Sequence, residues 1–97
     1  MNEKIDRWEV LLAPKAGKAQ RLLPEKIRNL ASTLIKELAA SGPIRKDWKN
    51  FGPISEYSYH CHIKKGRPTY VACWREVDKQ KRIIEVFYVG THENAPY

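Results

Sequence analysis

Proton chemistry near neutral pH falls to three histidines in this chain, His60, His62 and His92, and the first two stand two residues apart. On an extended strand that spacing puts both imidazoles on one face. Lys64 continues the same face, Lys65 and Arg67 flank Gly66 just beyond it, and Arg75 follows on the next apolar run. Imidazoles beside ammonium and guanidinium groups suit phosphodiester chemistry. Cutting RNA requires a proton to be taken from the 2′-OH, a proton to be given to the leaving 5′-oxygen, and charge on the phosphorane to be neutralised. Histidine serves either transfer. Lysine and arginine hold phosphate oxygens, and tyrosine or tryptophan stacks unpaired bases. Two other readings use the same residues. An alternating polar strand face can simply be solvated. His60, His62 and Cys73 also make a His-x-His plus Cys set of the kind that ligates zinc, although a fourth ligand and a CxxC pair are missing. No metal is assigned and no cofactor is expected. The sequence has no GxSxG and no glycine-rich phosphate loop.

These side chains need a sheet to hold them. Residues 55–65, 68–78 and 82–90 are rich in Tyr, Val, Ile, Trp and Phe, and their connections are short enough for antiparallel hairpins. Gly66 suits the first central position of a type II′ turn, which would pair Tyr59 with Trp74 and His62 with Val71. Pro68 cannot donate the bond that closes such a turn. This register sorts Tyr59, Cys61, Ile63, Tyr70, Ala72 and Trp74 onto one face. Ser58, His60, His62, Lys64, Thr69, Val71, Cys73 and Arg75 fall on the other. A one-residue slip would mix the two sets, so turn chemistry and hydrophobic partition agree. In the last strand Ile84, Val86 and Tyr88 continue the core side, leaving Glu85 near Arg75.

The core side must be covered, and one segment can cover it. Leu23, Ile27, Leu30, Leu34 and Leu38 recur in steps of three and four, with Ala31 and Ile35 widening the stripe. Pro24 starts this helix, predicted over residues 24–40, and Ser41-Gly42-Pro43 stops it. Before it, residues 6–13 alternate as a strand and 15–22 suit a short helix. A loop is expected over 43–54, bracketed by two Gly-Pro pairs. The prediction is an α+β fold, with an N-terminal strand and helices packed on an antiparallel sheet as one domain over residues 1–97.

Composition bounds the function. With 42% hydrophobic and 30% charged residues, 97 residues can bury one small core. The longest apolar runs are four residues, too short to span a membrane. Met1 to Arg7 lacks the basic start and apolar stretch of a secretory signal, and the two cysteines suit a reducing compartment, so a cytoplasmic location is expected. The net charge is +7, with residues 14–42 and 43–68 each contributing +4. A polyanion or an acidic protein would meet that middle.

The run Tyr59-His-Cys-His-Ile-Lys-Lys-Gly-Arg-Pro-Thr-Tyr-Val-Ala-Cys-Trp-Arg75 and the end Ile84-Glu-Val-Phe-Tyr-Val-Gly90-Thr-His-Glu-Asn-Ala-Pro-Tyr97 resemble the RelE/ParE toxin superfamily of toxin–antitoxin systems. The order of strand, helices, an Asn50-Phe51 loop and a meander is similar to it as well. For the RelE branch the resemblance implies an mRNA interferase, a small endoribonuclease that cuts mRNA on the ribosome, represses translation and is silenced by a cognate antitoxin protein. It implies basic catalytic groups on the second and third strands, another after the last strand, and a tyrosine near the C-terminus. Lys64 matches the second-strand lysine, His62 stands where a further basic residue is usual, and His92 and Tyr97 match the last two. The usual third-strand arginine falls on Val71, so Arg75 or Arg67 would have to replace it. The expected catalytic set is therefore His62, Lys64, Arg75, His92 and Tyr97, with His60, Lys65 and Arg67 binding RNA. The ParE branch shares the fold and implies a non-enzymatic inhibitor of DNA gyrase. A third outcome is an inactive relative that only binds its antitoxin.

Overall fold

A computed structural model of the protein describes residues 7–97. The opening Met1–Asp6, including the start of the strand expected at Asp6, lies outside them. The elements run β1 Glu9–Leu12, α1 Pro14–Arg21, α2 Glu25–Ser41, β2 Gly52–Ser55, β3 Ser58–Lys64, β4 Tyr70–Asp78 and β5 Ile83–Thr91. A short 3-10 turn, His92–Asn94, follows. The five strands form one sheet in the order β1-β5-β4-β3-β2. β1 joins β5 in parallel and every other pairing is antiparallel.

The helical stripe buries as its spacing requires. Ile27, Ala31, Leu34 and Leu38 of α2 are buried against Cys61, Ile63, Ala72, Trp74, Ile84, Val86 and Val89 of the sheet. A fully buried aliphatic or aromatic side chain stabilises a fold by about 1.5–3 kcal/mol, so this interface holds the sheet to the helices. Trp74 is fully buried, and its indole Nε1–H donates to the Pro43 carbonyl at 2.9 Å, which ties the loop after α2 to β4. The helix stops at Gly42, whose φ of 93° favours glycine. A Cβ there would sit 3.0 Å from the Trp8 indole nitrogen. Pro24 is the residue before α2 rather than its first helical residue, and α1 begins on Pro14.

Three expectations need correction. The strand expected over 55–65 is two strands: Glu56 and Tyr57 make a turn, and Ser55 and Ser58 pair across it with their hydroxyls 2.6 Å apart. The antiparallel part is therefore a four-stranded meander. The type II′ turn at Gly66 does not form, since Gly66 lacks the positive φ this turn demands. With Pro68 unable to donate, the Thr69 hydroxyl closes the loop instead: it accepts from the Gly66 N–H at 3.1 Å and donates to the Gly66 carbonyl at 3.0 Å. Pairing follows the predicted register from Ser58–Arg75 to His62–Val71, then slips so that Lys64 faces Tyr70. Finally, β5 carries an irregularity opposite Cys73 and Trp74, so Val89 takes the core position and Tyr88 lies opposite Cys73.

Candidate functional site

The histidine face of β3 is set by the same alternation that buries Cys61 and Ile63 on the helix side. His60 pairs with Cys73 and His62 with Val71 across β4. Those two partners point away from the helices, yet both are fully buried. The segment after β5 accounts for this. His92 donates its backbone N–H to the Thr69 carbonyl at 2.8 Å, and Ala95 closes the 3-10 turn by donating to the His92 carbonyl at 3.1 Å. Tyr88 steadies the approach, with its hydroxyl donating to the Thr91 carbonyl at 2.6 Å. The chain then returns over the sheet and lays the Tyr97 ring on the His60 ring, centroids 4.2 Å apart and planes within 18°.

Four rings meet in sequence. The His92 ring stands nearly perpendicular to Tyr97, at 5.8 Å and 88°, and to His62, at 5.6 Å and 76°. Burial lowers the pKa of His62, and the neighbouring His92 and Lys65 lower it further. Burial likewise lowers His60, with His62 and His92 adding to it. Both imidazoles are therefore biased to the neutral form, and among the described residues His60 Nδ1 is buried with no hydrogen-bond partner. Burial raises the pKa of the Tyr97 phenol. Two neutral imidazoles flanking an exposed third can pass protons to and from a substrate. An aromatic ring beside them can carry a base.

The basic residues divide. Lys65 lies close enough to act on His62, and Lys64, Lys65 and Arg67 are exposed along the rim formed by the end of β3 and its loop. Arg75 is elsewhere. It sits opposite Ser58 at the far end of β4, its Nε donates to Glu85 Oε1 at 3.0 Å, and its guanidinium lies 4.4 Å over the Phe87 ring. The structure thus gathers His60, His62, His92 and Tyr97, puts Lys64, Lys65 and Arg67 at the edge, and leaves Arg75 outside. Burial pushes the thiols of Cys61 and Cys73 up to about 12, which keeps them protonated near neutral pH. Among the described residues no three His, Cys, Asp or Glu side chains converge as a metal site. Two contributors escaped the sequence reading. The Thr69 carbonyl anchors His92, and Gly52, in the segment read as loop, pairs with His60 on the other side. Glu56-Tyr57 carries none of the residues that mark a tight hairpin, so the second left no signal in the sequence.

No protein-family model and no curated protein matches the chain. Solved structures do. A free-state structure of a mutant E. coli toxin RelE superposes with a TM-score of 0.68 at 18% identity, covering 90% of this chain and 85% of that one. The chain has the RelE fold. An archaeal RelE-RelB complex from Pyrococcus horikoshii OT3 gives 0.64 at 13% identity, over 92% of this chain and 99% of that one. The isolated E. coli RelE toxin in another crystal form gives 0.62 at 23% identity, over 92% and 88%. The α+β architecture expected from the sequence is that of these RelE structures, and no helix among the described residues is long and apolar enough to cross a membrane.

Proposed function

We propose that the protein is a RelE-like toxin of a toxin–antitoxin system, an endoribonuclease that cuts mRNA on the ribosome and so represses translation. The observation that carries this is the meeting of His62, His92 and Tyr97 from two separate segments of the chain. A tail serving only as cover would not need to bring a second imidazole against the first. In this reading His62, held neutral by burial, takes the proton from the 2′-OH. His92 gives a proton to the leaving 5′-oxygen, and the products are a 2′,3′-cyclic phosphate and a free 5′-OH. Lys64, Lys65 and Arg67 neutralise the phosphate and its neighbours along the strand. Tyr97 holds the base beside the cut. Arg75, engaged with Glu85 and Phe87, takes no part.

The basic surface also suits a cognate antitoxin of acidic character, and the RelE-RelB complex among the structural neighbours supports a protein partner. The protein would act in the cytoplasm, where its substrate is. Induced expression followed by mapping of mRNA 5′ ends tests the proposal. Discrete cuts within translated messages, lost in a His62→Ala/His92→Ala variant, are the expected result. Gyrase-linked DNA damage without mRNA cuts would point instead to the ParE-like inhibitor, and unaffected growth to an inactive, antitoxin-binding relative.

A further inference from the structure

His60 belongs to the same face as His62, yet its surroundings give it a different job. Tyr97 covers one face of its ring and Gly52 lies alongside. Its Nδ1 is buried without a hydrogen-bond partner among the described residues. What His60 offers is a flat surface at a fixed place, because β3 is held between β2 and β4. Tyr97 needs such a surface. It lies six residues beyond the end of β5, and only the His92–Asn94 turn intervenes. Its ring is nonetheless nearly parallel to His60, and the residue remains 44% exposed, so one ring face is covered by His60 while the residue stays open to solvent.

We propose that His60 is a positioning residue. It is the platform that holds the Tyr97 ring in place, so that an RNA base stacks on the outer face of Tyr97 as the third layer of a His60–Tyr97–base column. This rests on the nuclease reading for the identity of the third layer, but not for the first two. The arrangement also explains how one tail serves both roles: the His92 and Tyr97 rings meet nearly at right angles, so fixing the tyrosine fixes the imidazole beside the phosphate. His60 then acts on the reaction through Tyr97, without touching RNA.

The first measurement needs no activity. In the full chain, NMR of the Tyr97 ring protons should show the upfield ring-current shift of a stacked ring. His60→Ala should return them toward free-tyrosine positions, and His60→Phe should retain the shift. The second is cleavage of a short labelled mRNA on 70S ribosomes. His60→Ala should slow it about 2- to 10-fold, the scale of one aromatic pair, and His60→Phe should recover most of that loss. In a Tyr97→Ala background, His60→Ala should cost nothing more. Tyr97 resonances unmoved by His60→Ala would overturn the platform, and so would full, independent losses from the two substitutions. If the parent chain cuts no mRNA, the nuclease reading fails, and the Tyr97 shifts alone then support or overturn the platform.

Discussion

Replacing His92 with alanine separates a catalytic tail from a structural one, and the structure sets both magnitudes. The His92 side chain is exposed and touches its neighbours only edge-on, at His62 and Tyr97. The bond that anchors this turn to Thr69 uses the backbone N–H, which alanine keeps. The substitution should therefore cost about 1 kcal/mol of folding stability or less, the range of surface changes plus a weak ring contact. That corresponds to a fall in Tm of no more than roughly 4–8 °C for a domain of this size. Loss of a general acid, by contrast, should slow cleavage about 10²–10⁴-fold. The assay is single-turnover cleavage of a 5′-labelled mRNA on purified ribosomes, run beside thermal melts of the same preparations. A His92→Ala variant that cuts at the parental rate would refute the assignment. A variant so destabilised that the unfolded fraction accounts for the lost activity would refute the claim that the His92 side chain adds little to the fold.

The lowered pKa values of His60 and His62 make both stability and activity fall on the acid side. Below the ordinary value of about 6.5 the unfolded chain binds protons that the folded chain resists, so stability should drop as pH falls through the lowered folded values and level off beneath them. Urea melts between about pH 5 and pH 8 should show this slope, and it should flatten in a His60→Phe/His62→Phe variant. Trp74→Phe keeps the ring but leaves the buried Pro43 carbonyl without its donor, for a loss of about 1–3 kcal/mol and a lower urea midpoint at unchanged slope. Arg75→Ala breaks an exposed ion pair with Glu85, which should cost about 1 kcal/mol or less and change the cleavage rate less than twofold. A drop comparable to that of His92→Ala would return Arg75 to the catalytic set.

How much of this was legible depends on what each feature rests on. The helix over α2 and the β3–β4 register rest on periodicity, which survives without knowledge of neighbours: Leu34 and Leu38 had to face Cys61 and Trp74 because nothing else in the chain could bury either set. The failures came where one residue interrupts a period. Gly52 and Pro53 looked like loop because neither favours a strand, but among the described residues β2 is an edge strand with one partner and an irregularity after Pro53, a setting where proline is tolerated. The turn at Gly66 was misread because a side chain, Thr69, replaced the backbone donor that Pro68 lacks. Tyr88 moved to the histidine side because an irregularity in β5 has no sequence signature of its own. For the site, the tail crosses the histidine face only after Thr91, the last residue of β5, and Gly90 is still paired with Val71 inside that strand. Which histidine meets the tail where was beyond spacing alone. His60 and His62 are equivalent by alternation, and only the length of chain from Thr91 to Tyr97 puts the tyrosine on the first and the imidazole of His92 against the second. That inequality turns two like residues on one strand into a platform and a proton acceptor.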